Sequence, residues 1–269
     1  MGQACPGRCP GAMRAGGRFG PDWRDSQAYA PLLGAERALF AWEWLRRDPA
    51  YRKAAESPPS RQPPAGRCGP GPGQWGLHAF EPPELAVPRA RPVWRLDVHP
   101  YVLPAYSAPG SGGDILDLGR FAPLCRLVAG SGGRQHLLIC DGLRSIRIDI
   151  LGGTVGSRVR LRYLISGFEA AEKPLVTLRQ LLALRRSGRF YSSLHPVEAR
   201  APRFVLMLRA GDALAAGASQ REIAAELLDR DAGRDRWRVR SPSLRSRVQR
   251  LVGGARAMAE GGYRSFLSA

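Results

Sequence analysis

The sequence predicts an α+β fold, on three observations. Apolar residues recur at helical spacing near both ends of the chain. Between them, RSIRIDIL (144–151) and RVRLRYLI (158–165) alternate polar and apolar residues, the period of a half-buried strand. A dense Pro/Gly tract separates the first helices from the strands. Five segments follow: a disordered tail over 1–20, a small N-terminal helical module over 21–56, a Pro/Gly linker over 57–74, a central antiparallel β region over 75–168, and a helical region over 169–269.

The tail, MGQACPGRCPGAMRAGGRFG, lacks the apolar core of a secretory signal, and Met13 offers an alternative start. Cys5 and Cys9 have ligand-like spacing, but no second pair stands with them and Cys68 sits inside the Pro/Gly tract, so neither metal nor cofactor is expected. Five cysteines, an odd number, fit a reducing cytoplasm better than a disulfide scaffold.

In the N-terminal module the spacing predicts a helix over Ala35–Arg47, with Leu39, Phe40 and Trp42–Leu45 as its apolar side. Asp48-Pro49 reads as an N-cap and first helical position, opening a short helix through Ala55. Ser57–Gln74 (SPPSRQPPAGRCGPGPGQ) can bury little and reads as extended or disordered. Strand candidates are Val93–Val98, Ile115–Leu118, Leu137–Cys140, Ser145–Leu151 and Arg158–Ile165. Gly110–Gly113 and Gly130–Gly133 read as hairpin turns, not phosphate loops, because neither leads into Gly-Lys-Ser/Thr nor fits the dinucleotide pattern. Asp141-Gly142 marks a tight turn.

Four helices are predicted after the strands. Pro174–Arg186 carries Leu175, Leu178, Leu181 and Leu182 on one side and stops at Gly188. Pro202–Ala216, with Val205, Leu208 and Leu214, ends at Gly217. Ser219-Gln-Arg-Glu222 is a capping box that opens a third helix through Leu228, with Ile223 and Leu227 inward. The last helix begins at Ser241-Pro242, and Leu244, Val248, Leu251, Ala255 and Met258 form its apolar stripe. Gly261-Gly262 offers a left-handed stop, with Tyr263, Phe266 and Leu267 placed to fold back onto the core.

The chain's 269 residues carry 41 Lys and Arg against 23 Asp and Glu, a net charge of +18. Such a balance favours nucleic acid or an acidic membrane surface. No run of 18 apolar residues exists to span a bilayer. Only Lys53 and Lys173 are lysine, the mark of a GC-rich coding bias, so where the charge clusters says more than its sum. It clusters at the C-terminus: Arg236, Arg238, Arg240, Arg245, Arg247, Arg250 and Arg256 follow Asp235 with no acid before Glu260. Like charges one helical turn apart repel by a few tenths of a kcal/mol, roughly 0.2–0.5. Leaving them unpaired points to an outside anion such as a duplex backbone.

Opposite the apolar stripe lie Ser246, Gln249 and Gly253. Glutamine pairs twice with adenine, and flanking arginine grips phosphate or guanine. The expected DNA-binding set is therefore Arg236, Arg238, Arg240, Ser243, Arg245, Ser246, Arg247, Gln249, Arg250 and Arg256, with Gly253 admitting the backbone close to the duplex. The helix from Ser219 would support this recognition helix. The intervening DRDAGRDRWRVRS is longer than a standard helix-turn-helix turn, so the motif is of an expanded type. Trp237 is placed to plug the gap, and Arg236, Arg238 and Arg240 to form a phosphate-binding wing.

At GASQREIAAELL, the following tryptophan and SPSLRSRVQRLVGGARAMAEGGYRSFL, the chain resembles RovC-like bacterial transcription factors of type VI secretion. DWRDSQAYAPLLGAERALFAWEWLRRDPAYR is similar to the proteobacterial transcriptional-regulator-like module that accompanies that domain. The two resemblances span the first helices and about Asp114 to the end. They imply a DNA-binding transcriptional regulator, not an enzyme, acting on double-stranded DNA in the cytoplasm at the nucleoid, with homo-oligomers open to it and no membrane partner.

Two other classes remain open. A DNA-processing protein of a mobile element, a nuclease or recombinase accessory, would draw on Asp141 and Asp149; Asp141 is better read as a turn residue and Asp149 as a solvent-facing strand residue. His78, His99, His136 and His195 form no paired sequence pattern. A protein-interaction module without direct DNA contact would use an exposed Phe40–Leu45 face.

Overall fold

A computed structural model describes residues 20–56, 71–108, 114–228 and 242–268. Its helices are α1 (Arg37–Leu45), α2 (Pro49–Glu56), α3 (Glu172–Ser187), α4 (Ala201–Ala215), α5 (Gln220–Leu227) and α6 (Pro242–Ala259). Its strands are β1 (Leu103–Ala108), β2 (Leu116–Asp117), β3 (Cys125–Ala129), β4 (Gln135–Cys140), β5 (Ser145–Gly152) and β6 (Arg158–Tyr163).

The α1 segment RALFAWEWL has almost no polar residue to offer solvent, so it becomes the centre of a core. Every residue from Ala38 to Leu45 is buried, Glu43 included. The Phe40–Leu45 face is therefore interior, which corrects the reading of it as an exposed docking surface. Residues of α4, α5, α6 and the terminal Tyr263, Phe266 and Leu267 close around it in one apolar cluster. Three phenylalanines from distant parts of the chain meet there, with Phe204 and Phe266 centroids 4.6 Å apart and Phe40 at 5.4 Å from Phe204.

A buried polar staple ties α1 to α4. Arg47 donates through Nε to Asp212 Oδ1 (2.6 Å) and through Nη2 to Asp212 Oδ2 (2.8 Å), and Tyr29 Oη donates to the same carboxylate (2.5 Å). Glu43 neutralises the other side of Arg47 at 2.5 Å and accepts from the Val87 amide at 2.9 Å. Each buried charge thus has opposite charge or donors on it, the condition for keeping ions in a core.

The six strands form one sheet in the order β2-β6-β1-β5-β4-β3. Tight turns close two antiparallel hairpins. Gly130–Gly133 joins β3 to β4, with Gly132 and Gly133 at φ 64° and 74°. Between β4 and β5, Asp141 Oδ1 accepts from the amides of Leu143 (2.9 Å) and Arg144 (2.8 Å). The expected all-antiparallel sheet is corrected, because β1 runs parallel to β5 and antiparallel to β6. No hairpin turn fixes the direction of β1, so it slots between strands that follow it in sequence. The Val93–Val98 strand is also corrected. Trp94 makes a single bridge to Leu77, and the chain then turns, with Val98 N and His99 N both on Arg95 O. Gly110–Gly113 and most of the Ser57–Gln74 linker lie outside the described residues; Pro72–Trp75 is a 3-10 turn that buries Trp75.

The two sheet faces differ. On one, Ile146, Ile148, Ile150 and Leu103 pack on Leu181 and Leu184 of α3. The inward side of α3 is Thr177, Leu181 and Leu184, while Leu175 and Leu182 are exposed, a rotation from the expected leucine stripe. Segment 71–101 covers the other face, where buried Arg147 donates to the carbonyls of Trp94 (2.7 Å), Tyr101 (3.2 Å) and His99. The N-terminal helices reach the sheet through Glu36, whose carboxylate accepts from Ser145 N (3.0 Å) and Ser145 Oγ (2.5 Å). Burial pushes the Glu36 carboxyl up to about 7.

Candidate nucleic-acid interface

Two helices position the candidate surface. The capping box forms at α5 as its spacing requires: Ser219 Oγ accepts from Glu222 N (3.3 Å) and Glu222 Oε2 accepts from Ser219 N (2.8 Å). Ile223 and Ala224 then anchor α5 in the core. Val248, Val252 and Ala255 dock α6, with Leu244, Leu251 and Met258 half-buried at the borders. Val252, absent from the expected stripe, belongs to the seam. Gly254 lets α6 close on α4, since a Cβ there would stand 3.1 Å from Met207 Sδ.

The C-terminal stop of α6 is as the glycines imply. Gly261 takes φ 108°, and Tyr263, Phe266 and Leu267 are buried. The far end of the helix is thereby braced on α1.

The remaining face of α6 is open. Ser243, Arg245, Ser246, Arg247, Gln249, Arg250, Gly253 and Arg256 are all exposed. None of the four arginines forms an ion pair with a described carboxylate; the side-chain contact recorded for Arg250 is Nε on Ser246 O at 3.4 Å. At about 1.5 Å per residue the helix is about 27 Å long, and Arg245 and Arg256 stand about 16 Å apart along it. Gly253 has nothing within 4 Å of where a Cβ would project. Among the described residues the face is cationic and exposed to solvent. Arg236, Arg238, Arg240, Trp237 and the connection over 229–241 lie outside the described residues.

A second cluster was not legible as a site in the sequence. His136 on β4 and Asp149 on β5 are direct cross-strand partners, with Nδ1 and Oδ1 2.8 Å apart. The reading of Asp149 as solvent-facing is thus corrected: its side chain is 15% exposed and engaged. His78, from the covering segment, stacks on His136 at 3.4 Å between centroids. Burial lowers His78 to about 4, aided by His136, so it is neutral at ordinary pH. His99 and His195 are likewise held neutral by burial but stand apart from this cluster.

Residues 165–268 match the model described as the T6SS transcription factor DNA-binding domain, and residues 22–78 match the proteobacterial transcriptional regulator-like domain. No curated protein matches the chain. The resemblance read from the sequence holds at both ends but stops at residue 165 instead of reaching back to Asp114, so β1–β6 lie between the two matches. Both matched families are of transcriptional regulators, one of them a DNA-binding domain. Among the described residues, no helix is long and apolar enough to cross a membrane.

Proposed function

We propose that the protein is a sequence-specific DNA-binding regulator of transcription that inserts α6 into the major groove, with α5 as its support in an expanded helix-turn-helix. One observation carries this reading: α6 is docked on one side and, on the other, presents glutamine, serine and arginines that form no ion pair with a described carboxylate. In the groove, Arg245, Ser246, Gln249 and Arg250 read base edges, and Arg247 and Arg256 hold phosphates. Ser243 lies at the helix start, beside the approaching backbone. Arg236, Arg238 and Arg240 extend the phosphate contacts as a wing. The N-terminal helices serve as the brace that fixes the angle of α6, through the Phe40–Phe204–Phe266 cluster and the Asp212 staple. The protein works in the cytoplasm at the nucleoid, and a symmetric homo-oligomer would read a palindrome.

The test is selection of bound sequences from a random DNA pool at two salt concentrations. With about five arginines on phosphate, log affinity falls against log salt with a slope near about −4 to −5. Gln249→Ala costs about 1–3 kcal/mol and relaxes the preference at one base position. Arg256→Ala weakens all sequences alike and reduces the slope by about 1. An unchanged sequence preference in Gln249→Ala would overturn the assignment of α6 to the groove.

A further inference from the structure

We infer that His78, His136 and Asp149 form a binding site for one divalent metal ion of the zinc class. One ring nitrogen from each histidine and one Asp149 oxygen lie within 4.8 Å of one another. A tetrahedral zinc with bonds of about 2.0–2.1 Å sets its ligand atoms about 3.3 Å apart. The stacked rings hold their in-plane lone pairs nearly parallel, so closing the set requires His78, on a coil segment at the Leu77–Trp94 bridge, to turn out of the stack and aim its nitrogen at the His136–Asp149 pair.

Independent observations agree. His78 Nε2 is buried and has no hydrogen-bond partner among the described residues, an expensive state for a ring nitrogen and one that a metal would relieve. Gly130 keeps the space beside the other histidine clear, since a Cβ there would stand 2.6 Å from His136 Nε2. The three side chains line a single cavity of about 570 Å³, open enough for an ion and a water to enter. Of the three arginines nearby, Arg95 is on Asp97 at 2.9 Å and Arg147 is on backbone carbonyls, while Arg134 also lines the cavity.

Two imidazoles and one carboxylate are a borderline donor set, suited to zinc and its neighbours in preference to magnesium or calcium. Three protein ligands leave a fourth position for water or a small ligand. The ion would pin segment 71–101 to the β4–β5 hairpin, and of these residues only 71–78 fall within a family match.

The test uses the full chain, stripped with a chelator and titrated with zinc by calorimetry and with cobalt by visible absorption. One equivalent is expected to bind, with the intense visible bands of tetrahedral cobalt and without a thiolate charge-transfer band. His136→Ala and His78→Gln each weaken binding by about 100-fold or more, while the double variant Cys5→Ser/Cys9→Ser leaves it unchanged. His78 is only half-buried and stands on a coil, so its variant keeps the measurement informative should His136→Ala fail to fold. Absence of saturable binding, equal binding in the His78 and His136 variants, or loss of binding in the cysteine variant would overturn the assignment. The measurement needs no DNA and stands apart from the groove reading.

Discussion

Replacing one glycine by alanine is expected to have opposite consequences at two places in the helical core. A glycine inside a helix costs about 0.5–1 kcal/mol relative to alanine, because it orders more backbone freedom on folding. At Gly253 in α6 a methyl meets nothing within 4 Å, so Gly253→Ala recovers that amount, about 0.5–1 kcal/mol. At Gly211 in α4 the same methyl stands 2.8 Å from Cη2 and Cζ3 of Trp44. Trp44 is only 4% exposed and belongs to the core around α1. Overpacking of this kind costs about 1–3 kcal/mol, which outweighs the helix gain and leaves Gly211→Ala destabilised by about 1–2 kcal/mol. Urea unfolding followed by tryptophan fluorescence reads both changes, since Trp23, Trp42, Trp44, Trp75 and Trp94 are all buried. The groove reading adds a second expectation for Gly253→Ala: the better-folded variant binds its selected DNA site more weakly, because the methyl holds the helix backbone off the duplex. Undiminished DNA binding in Gly253→Ala would refute the close approach. A neutral or stabilising Gly211→Ala would refute the tight packing of α1 on α4.

The buried Glu36 carboxyl gives a pH signature. Its value in the fold, about 7, lies above the ordinary 4.5, so its favourable contribution is complete below about 4.5 and is lost as pH rises through about 7. Glu36→Gln does not titrate, and its stability relative to the parent should improve across that window by at most about 3 kcal/mol; a flat difference in urea midpoints would show that the carboxyl is not held protonated. Asp212→Ala strips the acceptor from Tyr29 and one of two carboxylates from Arg47, with an expected loss of about 3 kcal/mol or more and a smaller one for Asp212→Asn. A loss below about 1 kcal/mol would show that the staple does not hold α1 to α4.

Helix existence was legible wherever spacing and caps agreed. α5 begins at Gln220 because Ser219 and Glu222 close their box, and α3 ends at Gly188 because that residue takes φ 75°. The open face of α6 was readable for the same reason: its period, 100° per residue, divides docked from exposed residues. β1 was not legible, because LPAYSA has a proline and no alternation, and only pairing with β5 and β6 makes it a strand. The His136–Asp149 pair was within reach. Counting outward from the Asp141-Gly142 turn, with Cys140 opposite Ser145, places the two residues face to face. His78 carried no such signal, since it arrives through a coil whose course is set by tertiary contacts.

The shared core also has a bearing on how the chain is made. Phe40, Trp42 and Trp44 leave the ribosome early, yet the side chains that shelter them extend as far as Leu267. At about 5–20 residues per second, the wait is about 11 to 45 seconds. Segments such as Tyr51 and Trp75–Trp94 can cover part of it early, but the Phe40 side of this aromatic helix waits for Phe204 and Phe266. Chaperones that hold unfolded chains should find their first purchase there, and a product terminated short of Phe266 would never lose that handle.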